Sequence, residues 1–385
     1  MKIAMLVNNM DVSGGYHKLV IRLAQQLGEK GHEVTTYTPT VDREACFPND
    51  IGSIDIVSLT PTERSSSQNR QFKILARKVS YDSDAVIIHD PLSLPAIAHI
   101  KTQLKTRIVW MLNNQFDPDD LGIGSSAAKE LSKLIRGKKT FRALRTYWLV
   151  QRGLAKVTDF ATWDEFNKNM IKKYLSKDAT IVYAGADLDR FKKSISKQRF
   201  SKKTSYSFLS VGILFPHRRY EDIVEAAVVL KEHGLDFKIV IIGRHDLHKE
   251  YSSQVEELVL DKGVTDQVIF ENYVTDDDML SFYKDSDAFI FVNDGYTWGI
   301  AVFEAVAAKL PVIITNNIGA ADLIKNHKNG WVIEPRSPKE IAKAIEDIIN
   351  NPQEAKLLAD KAYNELVDFL SWSSYADRMI EVIEQ

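Results

Sequence analysis

The stretch Asn293-Asp-Gly-Tyr-Thr-Trp-Gly-Ile-Ala-Val-Phe-Glu-Ala-Val-Ala-Ala-Lys-Leu-Pro-Val-Ile-Ile-Thr-Asn-Asn-Ile-Gly-Ala-Ala-Asp-Leu-Ile324 decides how the chain is read. It predicts a strand end, a glycine-bearing turn, a short helix with one acid (Glu304) in its apolar stretch, a buried strand over Val312–Thr315 and a second glycine turn. An acid set among alanine, valine and phenylalanine at a helix start is costly unless it is paired or binds something. Glu304 is therefore the first candidate site residue.

Working outward, the same alternation of short apolar strands and amphipathic helices fills the chain. Lys2 to Val7 is an apolar run, followed by Gly14-Gly15, a helical pattern through Leu19, Val20, Leu23, Ala24 and Leu27, and a strand over Glu33–Tyr37. This is the opening βαβ unit of a parallel sheet covered by helices on both faces. Strands are expected at 54–59, 85–89, 107–112, 159–162 and 180–183. A second series starts afresh at 207–211, 237–242, 268–273, 288–292, 312–315 and 330–333. Helices are expected between most of them, including one over 320–325. The chain of 385 residues is too long for one ordinary core. The fold class expected is α/β, with two doubly wound Rossmann-like domains facing across a cleft: 1–190, 191–365, and a helix over 366–385 crossing back to the first. The lysine-rich segment Lys192–Ser205 has little to bury and is the linker candidate. Helices over 353–370 and 372–384 both carry apolar stripes suited to packing back on the first domain. Ligands of open parallel sheets bind at the carboxyl ends of strands, so the motifs there are the ones to read.

Composition excludes several function classes. The net charge of −2 argues against nucleic acid as a partner, because phosphate backbones need a basic face. The single Cys46 excludes an intrachain disulfide and fits a reducing compartment. No stretch approaches the roughly 20 apolar residues of a membrane span, and the apolar run at the amino terminus is too short for a signal peptide. The expectation is a cytoplasmic protein whose membrane contact, where it has any, is peripheral at the inner face. Asp11-Val-Ser-Gly-Gly-Tyr-His-Lys18 does not read Gly-x-Gly-x-x-Gly, which lowers a dinucleotide cofactor. No His, Cys or Asp cluster has metal-ligand spacing, so neither a metal nor another cofactor is expected.

Three features carry chemistry of their own. Gly14-Gly15, between the first strand and first helix, either admits a ligand to the backbone or serves a turn that needs positive φ. Arg218 and Arg219 stand between a strand end and a helix start, where cations oppose the helix dipole, so they answer either to an anion such as a diphosphate or to solvent. His89, in His-Asp-Pro at a strand's carboxyl end, is either structural or able to assist a reaction.

Together these segments resemble the GT-B glycosyltransferases, specifically the large retaining family four. The resemblance rests on the Gly-Gly loop with Gly31-His-Glu-Val34; Gly185-Ala-Asp-Leu-Asp-Arg-Phe191; Val211-Gly212 with Arg218; Ile242-Gly243; Phe270 to Val274; Gly299 to Ala308; Gly319 to Ile324; and Trp372-Ser-Ser-Tyr-Ala-Asp-Arg-Met379. It implies a nucleotide-diphosphate sugar as donor and a glycan or lipid-linked acceptor in polysaccharide or glycoconjugate synthesis. Glu304 matches the second acid of the family's Glu-x7-Glu motif, which binds the donor's ribose. Gly299 and the amides from Ile300 onward match the phosphate site, and Arg218 matches the basic residue that neutralises the departing diphosphate. Tyr273 and Val274 match the strand end whose backbone reads the base, and Gly15 the loop near diphosphate and acceptor. The resemblance further implies front-face attack, in which the leaving phosphate takes the acceptor proton and no catalytic base or metal is required.

The departures from the family pattern are informative. The first acid of Glu-x7-Glu is replaced by Tyr296; the arginine expected after Gly212 is Ile213, so that one diphosphate contact is either lost or moved to Arg219; and the histidine near the donor sugar is Asn113. Tyr296 and Asn113 both lie where relatives contact the sugar ring, which points to a deoxysugar donor such as rhamnose or fucose; the alternative is an equivalent contact from Asp294 or Tyr296. The other readings of the chain are a nucleotide-sugar epimerase of the same architecture and a non-catalytic sugar-nucleotide-binding partner subunit. Finally, residues 129–156 hold nine basic side chains against the single acid Glu130, with Phe141, Leu144, Tyr147, Trp148 and Leu149 interleaved. That pattern fits an anionic membrane surface or acceptor, or else a solvated helix face with its aromatics in the core.

Overall fold

A computed structural model describes residues 1–385 apart from 113–115, 117, 122–138, 197–198, 202 and 273; of 120 and 139–143 it describes the backbone alone. The chain forms two compact units, Met1–Gly185 with Trp372–Gln385, and Ala186–Ser371.

The first unit is built on a sheet of strands β1 (Lys2–Leu6), β2 (Glu33–Thr38), β3 (Asp55–Ser58), β4 (Ala85–Ile88), β5 (Arg107–Leu112), β6 (Asp159–Thr162) and β7 (Ala179–Ile181). Their order is β3-β2-β1-β4-β5-β6-β7, and the pairings are parallel. β4 is buried at every residue, as a strand covered on both faces must be. The helix Trp372–Glu384 completes this unit against the helix Gly15–Glu29. Lys30 Nζ reaches Ser373 Oγ at 2.9 Å and Asp377 at 2.7 Å, and Arg378 donates to the Tyr183 carbonyl at 2.7 Å. A Cβ at Gly185 would lie 2.5 Å from the Trp372 ring, so the close approach requires glycine there.

The second unit has β8 (Tyr206–Val211), β9 (Phe237–Ile242), β10 (Val268–Glu271), β11 (Ala288–Phe291), β12 (Val312–Thr315) and β13 (Trp331–Ile333) in the order β10-β9-β8-β11-β12-β13. Each sheet reverses direction once, between β1 and β4 and between β8 and β11. Such switch points open a crevice at the strands' carboxyl ends.

Three expectations need correction. The helix Pro352–Leu366 buries its stripe of Ala355, Leu358, Ala359, Ala362 and Leu366 within the second unit, so only the last helix joins the first. Lys309, paired with Asp360 at 2.7 Å and lying over the Tyr363 ring, ties it to the helix Ile300–Ala307. The expected helix over 320–325 is a single 3-10 turn, Gly319–Asp322: the Leu323 amide donates three residues back to Ala320 at 3.0 Å and the Lys325 amide donates to Asn329 Oδ1 at 2.7 Å, while Gly319 and Ala320 donate to the carbonyls of Thr297 and Trp298 at 2.8 and 2.9 Å. Nor do the described residues of 192–205 behave as a linker. Phe191 is fully buried edge-on to Tyr283, and Ser194 Oγ donates to the Leu280 carbonyl at 2.7 Å.

Arg199 fastens the described part of that segment to the second unit. It is 4% exposed and donates to the carbonyls of Ser194, Tyr283, Lys284, Ser286, Ala308 and Lys309 at 2.6 to 3.3 Å. Five of these acceptors lie at or just past the ends of the helices Asp276–Asp285 and Ile300–Ala307, where orphan carbonyls and the negative dipole end need a cation. Burial lowers the guanidinium only to about 10, so it stays charged at neutral pH. Replacing Arg199 by Met should strand these carbonyls and destabilise the fold by about 3 kcal/mol or more in urea unfolding, and Arg199→Lys, with three donors, should recover only part. Full stability of Arg199→Met would refute the capping role.

Candidate functional site

The switch point of the second unit gathers most of the residues singled out above. Past β8 the chain turns at Gly212, where a Cβ would lie 2.6 Å from Arg218 Nη2; past β9, a Cβ on Gly243 would meet the Gly212 carbonyl at 1.9 Å. Both glycines are needed for close approach. Gly212 opens a slot for Arg218, which is 4% exposed and stacks its guanidinium 3.7 Å above the Phe291 ring at the end of β11. Nη2 donates to the Val211 carbonyl at 3.2 Å, and Nε is buried without a hydrogen-bond partner. Among the described residues no carboxylate lies within ion-pair distance of it. A buried cation in that state is expensive, and an anionic ligand would offset the expense.

Arg219 contrasts sharply. Standing in the left-handed region (φ 49°) before the helix Tyr220–Glu232, it pairs with Glu221 at 2.6 Å and Asp222 at 2.8 Å. Its charge is answered by the first turn of its own helix. The arginine pair thus splits, and only Arg218 remains uncompensated. Ile213, 44% exposed, leaves an apolar side chain at the strand mouth. Burial and then the Arg218 charge hold the His217 imidazole below its usual range.

On the β11 side, Asp294 is held below the usual carboxylate range by Arg336, whose Nε reaches it at 2.9 Å. Tyr296 is half-buried, and its hydroxyl lies 2.9 Å from where a Gly319 Cβ would stand. Gly299 takes φ 84° and starts the eight-residue helix Ile300–Ala307; no side chain caps that end, so its first amides face outward as donors. Ile300, Ala301 and Glu304 are the half-exposed residues of an otherwise buried helix, Ile300 and Glu304 one turn apart. Glu304 is therefore less buried than its apolar neighbours suggest, and one carboxylate oxygen accepts from Tyr283 Oη at 3.1 Å. Val274 is half-buried on the loop after the edge strand β10, two strands from β8. Tyr273 lies outside the described residues.

In the first unit, neither Gly14 nor Gly15 has a positive φ, so no backbone strain demands this pair. A Cβ on Gly15 would meet nothing within 4 Å, leaving open space beside an uncapped helix start. Asp90, after β4, is buried and accepts from the Asn8 amide, Tyr16 Oη and Ser93, which fastens the two strand ends together. The neighbouring His89 is 1% exposed, and burial lowers its imidazole to about 3, so it is neutral and turned inward. Asn113 lies outside the described residues, as do 129–138. In the helix Lys139–Leu154, Leu149 and Val150 are buried, while Leu144, Tyr147 and Trp148 are exposed, with Arg145 beside them and Arg152 5.1 Å over the Trp148 ring. The aromatics described there face out of the core.

Sequence reading missed Phe291 and Tyr283, which sit against Arg218 and Glu304; strand-borne and helix-borne aromatics look like ordinary core. Among the described residues, no three His, Cys, Asp or Glu side chains are grouped to hold a metal, and no helix is long and apolar enough to cross a membrane.

Residues 13–190 match the model of Glycosyltransferase Family 4 and residues 191–365 that of Glycosyl transferases group 1. The chain is 21% identical over 94% of its length, and 94% of the relative's, to an uncharacterized glycosyltransferase of Haemophilus influenzae. It is 27% identical over 50% of its length to uncharacterized glycosyltransferase MJ1607 of Methanocaldococcus jannaschii, covering 47% of that protein. It is also 25% identical over 55% of its length to the capsular polysaccharide biosynthesis glycosyltransferase CapM of Staphylococcus aureus, covering 58% of it. Anabaena Alr3699/HepE, solved in complex with UDP, superposes with a TM-score of 0.77 at 13% identity over the whole of both chains. With its two parallel-sheet units and matches to both halves, this chain belongs to the GT-B glycosyl transferases of group 1.

Proposed function

We propose that the protein transfers a sugar, with retention at the anomeric carbon, from a nucleoside-diphosphate donor to a glycan or lipid-linked acceptor in polysaccharide or glycoconjugate synthesis. The observation that carries this reading is Arg218: a buried guanidinium at the switch point of the second unit with, among the described residues, no carboxylate within ion-pair distance, in the same unit as the uncapped helix start at Gly299. Both are donors suited to an anion, as a departing diphosphate requires. The UDP bound to the Anabaena structure and the part of CapM in capsular polysaccharide biosynthesis support the donor class and the polysaccharide setting.

The chemistry follows from that arrangement. The bond from the anomeric carbon to the diphosphate breaks, its electron pair passes to the phosphate oxygen, and Arg218 with the Gly299–Ile300 amides stabilises the charge. The acceptor hydroxyl attacks on the same face and gives its proton to that departing oxygen. With the departing oxygen taking the proton, neither His89 nor a metal is required: full turnover in excess EDTA is expected, and its loss would refute a metal-free mechanism. Asp294 is committed to Arg336, so it does not replace the missing acid, which supports Tyr296 as the contact to a deoxysugar.

On the acceptor side, the exposed Leu144, Tyr147 and Trp148 among basic residues suit the headgroup region of an anionic bilayer.

Three measurements test this reading. Arg218→Met should leave the melting temperature of the free protein unchanged or raised, since it removes an uncompensated buried charge, while weakening UDP or GDP binding roughly ten- to hundredfold, the ~1.5–3 kcal/mol of charged hydrogen bonds. Arg219→Met should do the reverse. In a thermal-shift screen, deoxysugar nucleotides should stabilise more than UDP-glucose or GDP-mannose; the opposite ranking would sink the deoxysugar assignment. Trp148→Ala with Arg145→Glu and Arg152→Glu should abolish sedimentation with anionic phosphatidylglycerol vesicles, and unchanged sedimentation would remove the membrane role.

A further inference from the structure

Glu304 is held by a residue that no motif marks. Tyr283 lies in the helix Asp276–Asp285, is fully buried, and donates from Oη to Glu304 Oε2 at 3.1 Å. Burial, and then the Glu304 charge, push its hydroxyl well above the usual tyrosine range, so it is always a donor. Its ring is the end of a column: Tyr283 stacks on Phe289 at 5.8 Å, Phe289 on Phe291 at 6.3 Å, and Phe291 carries the Arg218 guanidinium. Phe191 closes the ring edge-on at 4.8 Å.

In such a column phenylalanine would fill the same space without a polar atom. A hydroxyl buried there is unfavourable unless it meets an acceptor, and the acceptor it meets is the one acid on the half-exposed face of the helix behind Gly299. The ring cannot tilt, because aromatic neighbours pack it on two sides. The hydroxyl therefore anchors one carboxylate oxygen and narrows the orientations open to the carboxylate.

We propose that Tyr283 is a positioning residue that sets the Glu304 carboxylate to receive the sugar hydroxyls of the donor's nucleoside, so that it determines selectivity for an intact ribose diol. This rests on the reading of Glu304 as the ribose-binding acid. The aromatic column gives the phosphate-facing cation and the diol-facing acid one rigid support.

The test compares Kd by calorimetry for UDP and GDP with Kd for their 2′,3′-dideoxy counterparts, on the full chain. The wild type should prefer the diol. Tyr283→Phe should lower that preference by about tenfold, the usual worth of a group that orients a ligand-binding residue, with dideoxy binding unchanged and the melting temperature near wild type. In a Glu304→Gln background Tyr283→Phe should have little further effect. Phe289→Leu, which keeps the hydroxyl but frees its ring, should give a smaller loss in the same direction and serves if Tyr283→Phe is unstable. An unchanged preference in Tyr283→Phe, or equal loss for diol and dideoxy ligands, would overturn the proposal while leaving the ribose role of Glu304 standing. A wild type that does not distinguish the ligands would overturn both.

Discussion

A guanidinium buried on a phenylalanine face, with no acid beside it among the described residues, is the constraint around which the second unit is arranged. To hold Arg218 there, a glycine must follow β8 and β11 must bring Phe291 across the switch point, while the glycine after β9 lets the Gly212 carbonyl come close. A carboxylate partner would have made the slot cheaper and useless, because a neutralised arginine attracts no anion. The next residue makes the point by contrast. Arg219, given Glu221 and Asp222, stabilises its own helix start, so adjacent identical side chains differ in whether a carboxylate answers their charge.

The same unit shows how a half-exposed acid is kept in place. Glu304 projects from a helix that the left-handed Gly299 starts and that Arg199 closes at the far end through the carbonyls of Ala308 and Lys309. Gly319 and Ala320 donate to the loop before it, which fixes the path through Tyr296 and Trp298. A short helix gains little from its own hydrogen bonds, so its direction is set by these ties.

The first unit carries a different balance. Asp90 fastens the β1 and β4 ends by accepting four hydrogen bonds, and Gly15 leaves room where a side chain would fit without strain. Away from the sheet, the exposed Leu144, Tyr147 and Trp148 are large apolar groups that water does not favour, interleaved with cations that it does. That combination suits a boundary between the two environments.

How much of this could be read from residues alone depends on range. The parallel strands were legible because each is a short apolar run between helical patterns, and Arg107–Leu112, Asp159–Thr162, Phe237–Ile242 and Val312–Thr315 stand where the pattern placed them. The family, and Arg218, Gly299 and Glu304 as candidates, were legible because their spacing along the chain is local. The segment around Arg199 misled, since lysine-rich composition hides one arginine whose six acceptors come from up to 110 residues away. Tyr283 and Phe291 were invisible for the same reason: a buried aromatic carries no sign in sequence of which polar group it will touch. What the sequence determined by itself is therefore the order of strands and helices and the residue types at their ends, because hydrophobic period and turn chemistry act between near neighbours. Only the tertiary structure decided which charge is left uncompensated and which acid is held, because pairing and desolvation depend on groups brought together by the fold.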